Sequence, residues 1–276
     1  MESFILLRAL IREALLKEGI YDPGILKAVF MAGGPGSGKS HTAKLIFGAD
    51  PKMTMSASTS SGLKMVNSDP AFEMFLKKVG VDPASLGTMS SEEFEDVTMG
   101  KDSPRGKSKR LKGAAQGHYM SGKLGIILDG TGDDYTKIAE RKKKMEEAGY
   151  DTYMVFVNTS LEVAQERNAN RDRKLPKDLV EDIWNHVQEN LGAFQALFGP
   201  ENMVIVDNTK YGPVPESVDK AVNSFISRPI RNPIGKKWIN QELEKKGSGA
   251  TLPASHKSGR GGGNRAKRRM RSTSKN

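Results

Sequence analysis

The sequence of 276 residues contains no cysteine. Disulfide bonds and cysteine-ligated metal sites are therefore excluded, and this absence is typical of proteins from a reducing compartment such as the cytoplasm. No apolar run approaches the ~20 residues that a membrane-spanning helix requires, so we expect a cytoplasmic protein without membrane contact. Hydrophobic residues make up only 37% of the chain, but they occur in short blocks that can form a buried core.

Acidic residues are absent from residues 255–276, which contain eight lysine or arginine residues. Most of the formal net charge of +10 therefore belongs to this part of the chain. Residues 247–276 are rich in glycine, serine and basic residues, and this composition predicts a disordered basic tail. Because lysine and arginine neutralise phosphate groups, the tail favours contact with nucleic acid. Another acidic partner, or a role in solubility, explains the composition equally well.

Five short apolar runs, each followed by a helical pattern, predict strands that alternate with helices. The runs are residues 28–32, 63–67, 124–128, 153–157 and 203–206. Continuous apolar runs are typical of strands that are covered on both faces, and the alternation with helices predicts a parallel sheet with right-handed crossovers. We therefore expect an α/β fold in which helices sandwich a parallel sheet of about five strands.

The strongest motif follows the first predicted strand and begins the first predicted helix. It matches G-x-x-x-x-G-K-[ST], the P-loop pattern, and consists of Gly33, Gly34, Pro35, Gly36, Ser37, Gly38, Lys39 and Ser40. The glycines allow a tight turn whose backbone N–H groups approach phosphate oxygens. Lys39 reaches the β- and γ-phosphates, and the Ser40 hydroxyl binds Mg²⁺. The sequence thus predicts a P-loop NTPase that binds ATP with Mg²⁺, and the alternative is an ordinary glycine-rich turn.

Two motifs that mark other classes of P-loop protein are missing. The Asn-Lys-x-Asp motif, with which GTPases recognise their base, does not occur. Motor ATPases normally end the Walker B strand with an acidic pair, whereas the third predicted strand ends in Leu128-Asp129-Gly130, with a single acid. These absences favour a kinase over a GTPase or a motor.

Four segments resemble, in the same order, zeta-toxin and polynucleotide-kinase-type P-loop kinases: residues 33–40, 66–69, 127–131 and 166–176. The resemblance extends over residues 27–208. Family members encoded by large tailed bacteriophages resemble the chain particularly well. For a phage-encoded protein, the expected location is the host cytoplasm. It implies a kinase domain at residues 25–228. Within this domain we expect an insertion at residues 81–123, with a helix near 105–120 that could cover the substrate, and a lid-like segment at residues 166–176.

Two further segments flank this domain. Residues 1–24 have apolar residues at helical spacing, including Leu7, Leu10 and Ile11, and predict an amphipathic helix packed on the core. Residues 229–246 predict an extension that docks on the domain through Trp238 and Ile239.

The resemblance also implies roles for residues that follow the second and third strands. Asp69 would accept the proton of the attacking hydroxyl, which agrees with the need of phosphoryl transfer for a positioned carboxylate. Asp129 would help to hold Mg²⁺, and Thr131 is a weaker candidate for substrate contact. The alternatives are that Asp69 caps the helix that begins near Pro70, and that Asp129 is a turn residue.

Three arginines occur in the segment that resembles the lid. Arg167, Arg171 and Arg173 could hold phosphate, because the planar guanidinium donates two parallel hydrogen bonds. Arg171 is the first catalytic candidate and Arg167 the second, while Arg173 is assigned to nucleotide binding. The alternative is a solvated basic end of a helix.

Three weaker candidates complete the predicted site. Asn208, after the fifth strand, borders the adenine pocket or simply forms a turn. His41 packs beside the P-loop. The basic run at residues 141–144 is interpreted as a solvated helix face, with contact to phosphate or nucleic acid as the alternative.

The predicted function is therefore an ATP-dependent kinase that transfers the γ-phosphoryl group to a hydroxyl. The 5′-hydroxyl of a nucleic acid is slightly favoured as the acceptor, and a nucleotide sugar is the alternative. The chain departs from polynucleotide kinases after Asp69, where Pro70 and Ala71 follow without a nearby arginine to hold a substrate phosphate. A protein of another class, which binds ATP as a switch and holds nucleic acid with its tail, also fits the sequence.

Overall fold

The computed structural model describes residues 20–22, 24–48, 59, 61–171, 174–210 and 212–246. The predicted N-terminal helix falls almost entirely, and the predicted basic tail entirely, outside these residues. The strands are β1 (Lys27–Ala32), β2 (Lys64–Val66), β3 (Ile126–Asp129), β4 (Asp151–Asn158) and β5 (Met203–Asp207). The α-helices are α1 (Lys39–Phe47), α2 (Asp69–Lys78), α3 (Ser91–Thr98), α4 (Pro104–Ser121), α5 (Tyr135–Glu147), α6 (Leu161–Ala169), α7 (Lys177–Phe198), α8 (Glu216–Ser227) and α9 (Pro233–Lys246). Short 3₁₀ helices occur at Pro83–Thr88 and Pro200–Asn202. None of the described helices is long and apolar enough to cross a membrane.

The five strands form one parallel sheet in the order β2-β3-β1-β4-β5. The expected α/β fold with a parallel sheet between helices is therefore confirmed. β1 lies in the centre, so the loop that follows it emerges between the loops that follow β3 and β4. In an open parallel sheet, ligands bind beyond the carboxyl ends of the strands. The candidate residues after all five strands consequently share one edge of the sheet, at the carboxyl ends of the strands.

The core explains why the strands could be recognised as apolar runs. Every residue of β1 is buried, and alternate side chains point to opposite faces of the sheet. On one face Phe30 packs with Phe156 and with Phe194 of α7, and on the other face Val29 belongs to the cluster that contains Phe225 of α8. β5 is different because it forms an edge of the sheet, and most of its residues are partly or fully exposed.

The segment at residues 81–123 contains more structure than the sequence predicted. The helix expected near residues 105–120 is present as α4, and it packs on α2 and β2 before the chain enters β3. It therefore completes the crossover between two neighbouring strands. The 3₁₀ helix and α3 were not predicted, because apolar residues are sparse there. Leu86 and Val97 of this segment form a separate small cluster with Phe72 and Leu76 of α2.

A buried ion pair ties the amino-terminal edge of the sheet to the segment before α9. Lys27 is only 1% exposed, and its Nζ lies 3.1 Å from Oδ2 of Asp151. The same carboxylate accepts hydrogen bonds from the backbone N–H groups of Arg231 and Asn232. Burial lowers the pKa of Lys27 to about 8, and the charge of Asp151 opposes this shift. The lysine is therefore charged at neutral pH and depends on its carboxylate partner.

Replacement of Asp151 by asparagine is expected to lower the free energy of unfolding by about 3 kcal/mol, because it leaves the Lys27 ammonium buried without an opposite charge. Denaturant unfolding followed by circular dichroism measures this loss. Glu201→Gln is the matched control, since it removes an exposed ion pair. In that pair the Arg231 side chain is 63% exposed and the Glu201 side chain is 74% exposed. Less than about 1 kcal/mol is expected there. Equal losses in the two variants would contradict a structural role for the buried pair.

Candidate active site

The P-loop connects β1 to α1 in a conformation that requires glycine at three positions. Gly33, Gly36 and Gly38 have φ angles of 148°, 76° and 85°, in the region that side chains disfavour. At two of these positions a side chain would also collide with neighbouring backbone. A Cβ atom would meet the Val157 carbonyl at Gly33 and the Ala164 backbone at Gly36. The spacing of glycines in the motif thus follows from both backbone geometry and packing.

Three groups from other elements fasten this loop. The Thr131 carbonyl, after β3, accepts a hydrogen bond of 2.8 Å from the N–H of Gly33. The side chain of Asn208, after β5, donates a hydrogen bond of 2.7 Å to the carbonyl of Ser37. Arg167, on α6, donates to the carbonyl of Gly36 at 3.4 Å. The loop is therefore held from both flanks of the sheet, as a preorganised phosphate site requires.

Lys39 lies at the start of α1 and folds back over the loop. Its Nζ donates hydrogen bonds to the carbonyls of Gly33 and Gly34. Burial lowers the pKa of Lys39, the charge of Asp129 opposes the shift, and the charge of Arg171 adds to it. The pairing of β1 with β3 places Asp129 beside the end of β1, from which the P-loop leads to Lys39.

The other candidates in the motif differ in exposure. Ser40 and His41 are exposed on the first turn of α1, which leaves the Ser40 hydroxyl accessible. The Ser37 hydroxyl is buried and has no hydrogen-bond partner among the described residues. A buried polar atom without a partner is costly, and a phosphate oxygen at the loop would satisfy it.

Asp129 ends β3 next to the P-loop. Its Oδ1 atom is buried and has no hydrogen-bond partner within the part of the chain that the structure describes. Burial raises the pKa of this carboxyl group, and the charge of Lys39 opposes the shift. An oxygen ligand of this kind suits Mg²⁺, which takes carboxylates, hydroxyls, phosphates and waters. Asp129 and Ser40 are therefore the two residues here whose oxygen atoms could hold a Mg²⁺ ion beside the phosphates of a nucleoside triphosphate.

Asp69 is the first residue of α2, but its side chain forms an ion pair. Its Oδ1 lies 3.1 Å from Nη1 of Arg105, at the start of α4. The guanidinium of Arg105 also lies 5.0 Å from the ring centre of Phe72, within the range of a cation–π contact. The sequence directly after Asp69 contains no arginine, but the fold brings in Arg105 from 36 residues further along the chain.

Lys112 lies about two helical turns after Arg105 on α4. It is a second residue that the sequence did not indicate. Its Nζ donates a hydrogen bond of 2.8 Å to the backbone carbonyl of Asp129. Burial lowers the pKa of Lys112 to about 8, and Asp129 opposes the shift. The alternating glycine, lysine and serine residues of this segment carry no pattern that would have singled out either Arg105 or Lys112.

The lid-like segment begins in the last turn of α6, which carries Arg167, and continues beyond the helix to Arg171. Arg167 donates a hydrogen bond to the carbonyl of Thr209, after β5, and so lies on the flank where Asn208 lies. Arg171 is exposed, and its charge adds to the lowering of the pKa of Lys39 by burial. Arg173 lies outside the described residues.

The lid-like segment also contacts the insertion. Asn168 forms two hydrogen bonds with the backbone of Leu175, which fix the return of the chain towards α7. A Cβ atom placed on Gly87, in the 3₁₀ helix, would lie 3.1 Å from Cβ of Lys174. A cavity of about 490 Å³ lies between these two parts, and none of its lining residues belongs to the P-loop.

Comparisons with known proteins found a similarity to one protein family, which covers part of the chain. A model of the zeta-toxin family matches residues 101–212, and no curated protein sequence matches the chain. The matched stretch includes Arg105, Lys112, Asp129 and Arg171, but neither the P-loop nor Asp69.

Several solved structures are similar to the chain at low sequence identity. One, from the PezAT chromosomal toxin–antitoxin system of Streptococcus pneumoniae, is 13% identical and aligns over 86% of this chain and 94% of that chain, with a TM-score of 0.46. A chain of the Pnkp1/Rnl/Hen1 RNA repair complex is 17% identical over 62% of this chain and 46% of that chain, with a TM-score of 0.42. A gluconokinase from Sinorhizobium meliloti is 13% identical over 79% of this chain and 98% of that chain, with a TM-score of 0.40. The sequence of the chain is similar to the zeta-toxin family over residues 101–212.

Proposed function

We propose that this chain is an ATP-dependent kinase that transfers the γ-phosphoryl group to a hydroxyl of an acceptor, and that the acceptor is the 5′-hydroxyl end of a nucleic acid. One observation carries the proposal: the parallel pairing of β2, β3 and β1 brings Asp69, Asp129 and the P-loop with Lys39 to the same edge of the sheet. A phosphate site, a metal ligand and a carboxylate for the acceptor are the parts that phosphoryl transfer requires.

The P-loop supports ATP as the donor. Its glycines bring the backbone against the β- and γ-phosphates, and the amino-terminal end of α1 adds a favourable dipole. Asn208 and Arg167 lie on the β5 flank, where they suit the nucleoside part of ATP. Ser40 and Asp129 would hold Mg²⁺, which supplies positive charge that neutralises the phosphates.

Asp69 lies on the opposite flank, beyond β3, where the acceptor would enter. Its carboxylate takes the proton of the acceptor hydroxyl as the oxygen attacks phosphorus. The bond between the γ-phosphorus and the bridging oxygen breaks, and ADP leaves. Lys39 and Arg171 stabilise the negative charge that spreads over the transferred group.

The positive charge around Asp69 favours an acceptor that carries phosphate. Arg105 contacts Asp69 directly, and Lys112 donates a hydrogen bond to the backbone carbonyl of Asp129. A nucleotide sugar, which also carries phosphate, is the second candidate for the same reason. A neutral polyol would bring no negative charge to these two cations.

An assay with γ-labelled ATP and Mg²⁺ tests the proposal. The acceptors are a 5′-hydroxyl DNA oligonucleotide, its RNA equivalent, a panel of nucleotide sugars and a neutral sugar. Transfer of label to the 5′-hydroxyl oligonucleotides is expected, and the same oligonucleotides with a 5′-phosphate are the matched control and should accept nothing. Label on a nucleotide sugar alone would replace the nucleic acid as acceptor, and ATP binding without label on any acceptor would favour a switch.

A further inference from the structure

One polar side chain on the buried face of α6 takes no part in the proposed chemistry. The buried residues of this helix are Ala164 and Asn168, and the interval of four residues puts both on one helix face. Ala164 lies against the P-loop, because a Cβ atom on Gly36 would collide with its backbone. Asn168 is only 5% exposed. A buried carboxamide is costly unless it is hydrogen-bonded, so its partners indicate what it does.

Both polar atoms of the Asn168 side chain bind the backbone of Leu175. Nδ2 donates a hydrogen bond of 2.8 Å to the Leu175 carbonyl, and Oδ1 accepts one of 3.0 Å from the Leu175 N–H. Leu175 precedes Pro176, which favours an extended backbone, and an extended residue presents its N–H and C=O on the same side. The carboxamide, which has one donor end and one acceptor end, therefore pairs with Leu175 as a residue of a neighbouring strand would.

The chain that leaves Leu175 enters α7, which is anchored at the end of β4. Nε1 of Trp184 donates a hydrogen bond of 2.9 Å to the carbonyl of Thr159, and the side chain of Gln188 donates one of 2.9 Å to Oδ1 of Asn158. α6 begins after the same strand and packs on α7. The clamp between Asn168 and Leu175 thus joins two helices that share one anchor.

Arg171 lies between the two residues of this clamp. Its N–H donates a hydrogen bond of 3.3 Å to the carbonyl of Asn168. The backbone of Asn168 therefore holds Arg171, while its side chain holds Leu175. Next to Leu175, Lys174 lies against the insertion, where a Cβ atom on Gly87 would come within 3.1 Å of its Cβ. Asn168 consequently fixes the base of the lid-like segment to α6, the helix that contacts the P-loop.

We propose that Asn168 is a positioning residue for Arg171: by clamping the base of the lid-like segment, it presents the Arg171 guanidinium to the γ-phosphate. This inference rests on the proposed function, which gives Arg171 the task of stabilising the transferred group. Without the clamp, Arg171 would have to be ordered when the nucleotide binds. The loss of conformational entropy would then weaken binding of the triphosphate and slow transfer.

The first test is an equilibrium titration of the full chain, which needs no transfer. Asn168→Ala is expected to bind a non-hydrolysable ATP analogue with Mg²⁺ about fivefold to tenfold more weakly, the range for ordering one long side chain on binding. Its affinity for ADP should stay within about twofold, because ADP lacks the γ-phosphate. Arg171→Gln should show the same pattern, with a loss at least as large.

The double variant Asn168→Ala, Arg171→Gln distinguishes positioning from a merely structural role. If Asn168 acts through Arg171, the double variant should lose no more affinity for the ATP analogue, and no more transfer rate, than Arg171→Gln alone. Losses that multiply would show that Asn168 acts on the site independently of Arg171, and they would overturn the inference.

Asn170→Ala is the matched control, since it removes the same side chain from an exposed position at the carboxyl end of the same helix. Its affinities and transfer rate should stay within about twofold of the parent. Asn168→Asp serves if Asn168→Ala does not fold, because it keeps the acceptor for the Leu175 N–H and loses only the donor. Parent-like affinity for the ATP analogue in either Asn168 variant would overturn the inference. The expected binding pattern without label transfer to any acceptor would instead overturn the proposed function and leave the positioning of Arg171 in place.

Discussion

Lys39→Met is expected to abolish phosphoryl transfer and to weaken ATP binding, with a loss of transfer of about 10³-fold or more. The physical reason is that the Nζ of Lys39 is the cation nearest to the P-loop carbonyls, where it would meet the β- and γ-phosphates. Removal of one preorganised donor to developing charge typically costs ~10²–10³-fold in rate, and Lys39 also contributes to ground-state binding. Titration of the protein with a fluorescent ATP analogue and the label-transfer assay measure the two losses separately.

Lys44→Met is the matched control, because Lys44 lies in the last turn of the same helix and is exposed. Its loss should change neither ATP affinity nor transfer by more than about twofold, as expected for a surface charge. If Lys39→Met protein bound ATP with Mg²⁺ as well as the parent does, the P-loop would not be a nucleotide site.

Asp69→Asn is expected to slow transfer by roughly 10²- to 10⁴-fold, the usual contribution of a general base, while ATP affinity stays within about twofold. Asparagine keeps the size of the side chain and can still accept a hydrogen bond from Arg105, so the fold around α2 should survive. What is lost is the ability to take a proton from the acceptor hydroxyl. Single-turnover label transfer, with ATP affinity measured in parallel, checks both parts.

Asp102→Asn provides the comparison for this second variant. Asp102 also pairs with an arginine, Arg110 at 3.6 Å, but its side chain is 93% exposed and the pair lies on the solvent side of the insertion. Transfer by this variant should match the parent. Unchanged transfer in Asp69→Asn would show that another group receives the proton, and it would remove Asp69 from the mechanism.

The strands were predictable because each one appears in the sequence as a short run of apolar residues. β1 and β4 are buried along almost their whole length, so both appear as uninterrupted apolar runs. The strand order was not predictable from the same runs. It depends on which crossover packs beside which strand, and β1 lies between β3 and β4 because of contacts made far apart in sequence.

The P-loop was equally predictable, since glycine conformation and lysine position are fixed by eight consecutive residues. Arg105 and Lys112 could not be found in this way. Their partners are Asp69, 36 residues before Arg105, and the carbonyl of Asp129, 17 residues after Lys112. Only the packing of α4 on α2 and β2 brings these groups together.

The positions of the arginines in residues 166–176 were only partly predictable. These arginines were predicted from residue type to hold phosphate, but residue type does not say which part of the site each side chain contacts. Arg171 comes four residues after Arg167 and lies beyond the end of α6, whereas Arg167 lies on the helix and donates a hydrogen bond to the Thr209 carbonyl. The proposal accordingly gives catalysis to Arg171 and a place beside the nucleoside to Arg167.

The central position of β1 has a consequence for inhibitor chemistry. Neighbouring strands lie about 4.8 Å apart, and β2 and β5 are the two outer strands of the sheet, so Asp69 and Asn208 follow strands separated by about 19 Å. A bisubstrate compound would therefore need its adenosine at one end, its acceptor mimic at the other, and a polyphosphate tether that crosses the P-loop midway between them. Shortening that tether should release one end from its subsite, while either half alone would compete with only one of the two substrates.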